Sequence, residues 1–227
     1  MLVLAIDTAL TACSVAVLDA DADTVVAGDS LFMDRGHAEA LVPMVEQVLT
    51  GARLEFSAID RIAVTVGPGS FTGLRVGLSA ARSFALAAGK PAVGVTTLAA
   101  LAAPFLALDD STPVLAAIDA RHGHVFMQVF GTGGRTLVSP RIAAVKDAAR
   151  AAAMGAVRLV GSGAALVAEA WPPGEVAPAL VETLAVPDVA WVARLGAAAD
   201  PATAEPRPLY LRSPDAKPQT AARIARR

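Results

Sequence analysis

The stretch that decides the fold is TVGPGSFTGLRVG, residues 65–77. Its four glycines follow the apolar run Arg61–Val66 and precede an Ala/Leu-rich stretch that ends near Ala88. Strand, glycine turn and helix make the local pattern of a phosphate cradle, and equally of a turn that only brings a helix close to its neighbour. A P-loop needs Lys and then Ser or Thr after its last glycine; here Leu74 and Arg75 follow Gly73. The Gly-x-Gly-x-x-Gly fingerprint fails too, because residue 72 is threonine. Two readings remain. Gly67 and Gly69 are vestiges of a phosphate turn whose amides at 69–73 face an anion, or they bend the chain while Ser70 or Thr72 caps the helix.

The helix that follows, expected over 72–88, is small on several faces. Leu74, Leu78, Ala81 and Ala85 form one stripe, and Val76, Ser79, Ala80 and Ser83 another, with Gly73 and Gly77 between them. A helix apolar or small on several faces is normally buried. Arg75 and Arg82 stand seven residues apart on one face, where they would rim a contact. A second helix, expected over 37–49, starts at His37 and shows Leu41, Met44, Val45, Val48 and Leu49 at helical spacing. Either the two helices cover each other, or together they present a groove to a partner. An ordinary stable interface of that kind buries about 1,600 Å². On the second reading Gly77→Leu jams the partner contact.

Outward from this centre, residues 2–6, 12–18 and 24–32 read as an antiparallel meander with short polar turns, and 61–66 and 91–95 as further strands. After Pro104 and Asp109–Pro113 the pattern restarts. Strands at 114–118, 125–130 and 136–142 precede a helix near 145–154, a strand at 157–160 and a helix after Gly161-Ser-Gly163. Both halves open with a strand ending in aspartate, Asp7 and Asp119. The sequence therefore predicts an α/β protein built from a duplicated unit of three strands plus helices. Residues 171–187 are proline-rich and read as loop, 188–199 as a last helix, and 213–227 as a basic tail with Lys217, Arg223, Arg226 and Arg227.

The 227 residues suffice for a sizeable core, and 55% are apolar while only 4% are aromatic, so that core is made of small side chains. A net charge of −2 excludes a general nucleic-acid footprint, and the lone Cys13 excludes a disulfide framework or thiolate cage within the chain. The opening run Met1–Ile6 is too short and lacks the basic flank of a signal peptide, and the Ala-rich stretches are interrupted too often to span a membrane. A cytoplasmic, soluble protein is expected. Asp7-Thr8 is either a Mg²⁺ or water-orienting carboxylate pair member or a turn bonding its own backbone. His122 and His124 flank Gly123 and His37 stands alone, so no three-ligand metal site is expected. Gly161-Ser-Gly163 reads as a turn, not a nucleophile elbow.

Taken together, LAIDTALTACSVAVLD (4–19), HAEALVPMVEQVL, VTVGPGSFTGLRVGLSAARSFALAAGKPAVGVTTLAALA, AIDARHGHVFMQVF and PLYLRSPDAK resemble, in order, the bacterial tRNA threonylcarbamoyladenosine biosynthesis family TsaB, also called YeaZ. The resemblance is densest over residues 1–105. It implies an actin/Hsp70/sugar-kinase-like (ASKHA) fold of two RNase H-like lobes with mixed sheets, here 1–108 and 109–212. It also implies a non-catalytic subunit that activates a TsaD-like catalytic subunit for t6A modification of adenosine 37 in tRNAs reading ANN codons. A TsaE-like ATPase joins, and tRNA is met indirectly through the complex. The two first-lobe helices would form that interface, or a homodimer without the partner, through His37, Leu41, Met44, Val45, Gly73, Arg75, Val76, Gly77, Ala80, Ala81 and Arg82. No cofactor is required; any ATP or ADP would sit at a partner interface, with Asp7, Thr8, Gly67 and Gly69 as vestigial phosphate turns. In the catalytic relative the strand after the helix leads to a His-x-x-x-His metal pair; Thr97 and Leu101 take those places here. The competing reading is an independent ASKHA-type kinase or glycoprotease-like enzyme, and a third is direct tRNA binding by the basic tail.

Overall fold

The computed structural model describes residues 1–212; the expected tail at 213–227 lies outside the described residues. Strands β1 (Leu2–Asp7), β2 (Ala12–Asp19) and β3 (Thr24–Phe32) form the antiparallel meander, and β4 (Arg61–Gly67) and β5 (Ala92–Thr96) add in parallel to give the order β3-β2-β1-β4-β5. Helices α1 (His37–Ala52) and α2 (Phe71–Ala88) cover one face of this sheet. The central strands are apolar throughout because both of their faces are covered: Leu4 and Ile6 point to α1 and α2, Val3 and Ala5 to the opposite layer.

After α3 (Thr97–Leu108) the second half repeats the plan. Strands β6 (Val114–Asp119), β7 (His124–Phe130), β8 (Thr136–Ala144), β9 (Arg158–Val160) and β10 (Leu180–Glu182) form a sheet of order β10-β9-β6-β7-β8. Helices α4 (Val145–Ala152) and α5 (Ala164–Glu169) cover its outer face. The duplication is thus present strand for strand, with β6 in the place of β1 and β9 in that of β4.

Three elements depart from the sequence reading. Pro104 does not end the pattern but sits inside α3. An interior proline costs roughly 3 kcal/mol; α3 persists because it is wedged between the two sheets, with Leu98, Leu101 and Ala102 packed against the second sheet and Ala100 against the first. The proline-rich stretch contains β10, a three-residue strand that exists only because β9 offers its edge in parallel. Finally, α6 (Val189–Ala198), expected in the second lobe, packs Val192 and Ala193 onto Val3, Ala5, Ala63 and Val93 of the first sheet. Gly196 makes this approach close, since a Cβ there would overlap that of Ala63. The last helix of each half therefore lies mainly on the sheet of the other half.

An arginine pins each exchanged helix, half-buried in the first lobe and buried in the second. Arg61, first in β4, turns Nη1 to the carbonyls of Gly196, Ala197 and Ala199 at 2.9, 2.8 and 2.7 Å, so that its two N–H groups are shared among three acceptors at the C-terminus of α6. Arg158, first in β9, donates to Phe105 at 2.6 Å and to Asp109 and Thr112, at and beyond the C-terminus of α3. Arg61 pairs with Val3 near the start of β1, and Arg158 with Val114 at the start of β6, so the two stand at closely similar places, one residue apart in register when Asp7 and Asp119 are aligned. A guanidinium at a helix C-terminus satisfies orphan carbonyls and meets the negative end of the dipole.

Replacing Arg61 or Arg158 by methionine keeps the stem and removes these donors. Each variant is expected to lose about 2–4 kcal/mol of stability in urea denaturation, with Arg158→Lys recovering only part because the carbonyls of Phe105, Asp109 and Thr112 are divided between Nη1 and Nη2. A loss below about 0.5 kcal/mol would show that the clamps are incidental.

Candidate functional site

Strands β1 and β4 run parallel and side by side, so the turns at their carboxyl ends meet. This is where open α/β sheets bind ligands. Here the two turns close on each other. Ser70 donates its amide to the Ala9 carbonyl at 2.7 Å, and Thr8 donates its hydroxyl to the Gly73 carbonyl at 2.7 Å. A Cβ on Gly69 would overlap the Ala9 carbonyl, one on Gly73 the Thr8 carbonyl, and one on Gly77 the Thr8 hydroxyl. The glycines are spaced so that α2 can lie with its backbone against the β1–β2 turn. Of the amides that an anion would need, that of Ser70 is taken by Ala9 and that of Gly73 by the Ser70 hydroxyl, which caps the helix at 3.3 Å. Residues 67–73 form a turn that packs α2 against the β1–β2 turn, and Ser70 rather than Thr72 is the cap.

Asp7 is fully buried. Its Oδ1 accepts from Thr65 Oγ1 at 2.6 Å and from the Ala9 amide at 3.0 Å, while its Oδ2 has no partner. Burial pushes its pKa up against the lowering by the Thr65 and Ala9 hydrogen bonds and by nearby His37. The carboxyl thus ties the β1 end to β4 and turns the chain. The second lobe repeats the device in a wetter form. Asp119 accepts from the Arg121 amide at 2.8 Å, its own amide donates to Ser162 Oγ at 3.1 Å, and a Cβ on Gly161 would overlap the Ala117 carbonyl. Gly161-Ser-Gly163 is a packing turn, equivalent to residues 67–73.

A cleft of about 420 Å³ opens between these turns, bordered by Ala9, Gly69, Ser70, Asp119, Arg121 and Tyr210. Among the described residues no group of three His, Cys, Asp or Glu side chains is placed to hold a metal ion. His122 is exposed with φ of 52°, and His124 turns its Nδ1 to the His122 carbonyl at 2.9 Å. Thr97 and Leu101 are both fully buried in α3.

The outer face of the first lobe carries the second candidate surface. A groove of about 520 Å³ runs between α1 and α2, lined by Ala38, Leu41, Val42, Phe71, Thr72, Arg75, Val76, Ser79 and Ala80. Of the eleven residues expected to touch a partner, Arg75, Val76, Ala80 and Arg82 are exposed or half-exposed on α2, and Leu41 forms the groove floor while only 1% exposed. His37, Met44 and Val45 face the chain's own core, with His37 Nε2 3.2 Å from the Leu10 carbonyl. Gly73, Gly77 and Ala81 are buried under α2 against the first sheet and the β1–β2 turn. The expectation that Gly77 meets a partner is therefore corrected: small residues here serve contact within the chain, and the accessible side of α2 is a quarter turn away. Sequence reasoning missed Val42, 51% exposed, and Phe71. Val42 was detectable as an apolar residue off the 41/44/45/48 stripe; Phe71 carried no periodic signal because it opens the helix.

Two outcomes test this arrangement. Gly77→Leu should cost at least about 3 kcal/mol, above the usual 1–3 for overpacking, since the clash is with Thr8 and Val64 rather than with a flexible tip; near-wild-type thermal unfolding would contradict the packing. For Asp7, the raised folded-state pKa means that stability is full below the unfolded value of 3.8 and is lost as pH rises through the folded value. Urea midpoints should fall across that window in the wild type and flatten in Asp7→Asn; parallel profiles would refute it.

A family model described as tRNA N6-adenosine threonylcarbamoyltransferase (TsaD) matches residues 32–169. The tRNA threonylcarbamoyladenosine biosynthesis protein TsaB of Escherichia coli K12 is 42% identical over 126 residues, 56% of this chain and 53% of that protein. The chain spans about half the length of the TsaB proteins it matches, 53% and 51%. A solved structure described as an uncharacterized protein with similarity to peptidase YeaZ, from Pseudomonas aeruginosa, is 30% identical, with a TM-score of 0.76 over 93% of this chain and 99% of that one. A ROK hexokinase from Thermus thermophilus, 16% identical with a TM-score of 0.50 over 87% of this chain and 98% of that one, shares the two-lobed sugar-kinase-like fold.

Proposed function

The chain belongs to the TsaB/YeaZ family, and from that premise we propose that it is a non-catalytic subunit of the machinery that threonylcarbamoylates adenosine in tRNA. Its task is to hold and activate a TsaD-like catalytic subunit at the α1–α2 groove, in a cytoplasmic assembly that a TsaE-like ATPase joins. The observation that carries the reading is the groove: apolar, open, between two helices, and rimmed by Arg75. The closed phosphate turn supports it, since Asp7 and the glycines at 69, 73 and 77 are engaged in contacts within the chain. So do Thr97 and Leu101, whose side chains cannot replace two imidazoles as metal ligands.

The groove has the features of an interface core. Val42 and Phe71 offer apolar surface, Ala38, Val76 and Ala80 let a foreign helix come near, and Arg75 stacks over Phe71 with Cζ 3.9 Å from the ring centroid. Two copies related by a two-fold axis would cover this face with its own equivalent, and a homodimer is the state expected without the partner.

Val42→Glu places a charge in the groove at an exposed position and should leave thermal stability near wild type. It is expected to weaken binding of the TsaD-like subunit by about tenfold or more, the scale of a 1.4 kcal/mol desolvation cost, and to lower tRNA modification by the mixture in proportion. Modification by the wild-type chain alone, or unchanged affinity in the variant, would defeat the proposal.

A further inference from the structure

Beyond α6, residues 204–212 run along β5 to the carboxyl end of β4. Gly94 donates its amide to the Ala204 carbonyl at 2.8 Å, Arg82 donates to the Pro206 carbonyl, and Leu209 donates its amide to the Val66 carbonyl at 2.7 Å. The fit is close. A Cβ on Gly67 would meet the Leu209 carbonyl at 2.9 Å, and one on Gly94 the Glu205 carbonyl at 3.1 Å. Gly67 has φ of 109°, so this position is closed to side chains on two counts. Past Leu209, Tyr210 stacks on Phe71 with centroids 5.3 Å apart, and Arg212 reaches the second lobe, donating to the Ala120 carbonyl at 3.0 Å. Residues 204–212 therefore run from the middle of β5 past the end of β4 to the turn after β6, along the cleft.

Phe71 stands at the junction. One side borders the cleft, the other borders the α1–α2 groove, and its ring is contacted by Tyr210 of the strap and by Arg75 of α2. Any shift of the strap changes what supports Phe71, and any partner that packs on Phe71 changes what the strap leans on.

We infer that residues 204–212 are a latch, which fixes the angle between the two lobes and, through the Tyr210–Phe71 stack, couples that angle to occupancy of the α1–α2 groove. The lobe-fixing half stands on the contacts above alone; the coupling half rests on the groove being the partner site.

The test uses the full chain with spin labels at Glu46→Cys in the first lobe and Arg141→Cys in the second, both exposed, while Cys13 is fully buried. The parent should give one narrow interlobe distance distribution. In the Tyr210→Ala/Arg212→Ala variant the distribution should broaden, and the amides of Leu209 and Gly94 should exchange at least about tenfold faster. A distribution and exchange rates equal to the parent's overturn the latch. Tyr210→Ala alone should weaken TsaD-like subunit binding by roughly two- to tenfold, the range an aromatic pair allows, and Tyr210→Phe should restore it. Loosened lobes with unchanged affinity overturn the coupling. If the parent chain binds no such subunit, the groove reading fails while the distance measurement still judges the latch.

Discussion

The structure depends on one close approach, backbone against backbone, between the turn after β1 and the first two turns of α2. Three glycines at 69, 73 and 77 face Ala9 and Thr8 with no room for a Cβ. The Thr8 hydroxyl and the Ser70 amide bridge the same gap. That contact sets the height of α2 above the sheet. Because α1 packs beside α2 on the same face, it also sets the width of the groove between them. A larger residue at any of the three positions would lift α2, and the groove would change shape before any groove residue was altered. The glycine spacing that resembles a ligand cradle is thus a device for placing a helix.

Much of this was legible in the sequence, and the reasons differ by element. The meanders were readable because turns with clustered aspartates and glycines separate runs of β-branched and small apolar residues. The duplication was readable because Asp7 and Asp119 end equivalent strands. The burial of Gly73 and Gly77 was not, since a small residue looks the same whether it awaits a partner or touches its own chain. Periodicity told that α2 is small on several faces and could not say which face meets what. Pro104 misled because propensity is a local argument, and α3 is held from both sides by elements distant in sequence. The strap at 204–212 has no periodicity at all; its structure comes from Gly67 and Gly94, more than a hundred residues away.

The exchange of last helices explains how two small lobes reach stability with few aromatic side chains. Each half alone would leave one face of its sheet bare. By giving α3 to the second sheet and α6 to the first, the chain fills a shared middle layer, and Arg61 and Arg158 each close the C-terminal end of the visiting helix. A consequence is that neither sheet has a complete hydrophobic layer without the other half, so the lobes are expected to unfold together rather than as independent domains.

Small side chains make that middle layer thin, and a thin layer transmits displacement. Ala5, Ala63, Ala193 and Gly196 meet on the first-lobe side, where α6 sits against the sheet with little that can deform. Large flexible side chains would absorb a shift of α6; methyl groups in contact pass it on. The strap begins just after α6 and ends on the turn after β6, so rotation of the second lobe must move α6, the strap, or both. The hydrogen bonds of Leu209 and Gly94 oppose motion of the strap, and the three carbonyl bonds of Arg61 oppose motion of α6. The strap's own backbone forms one wall of the cleft between the lobes, where Leu209, Tyr210, Leu211 and Arg212 face Gly69, Ser70 and Asp119.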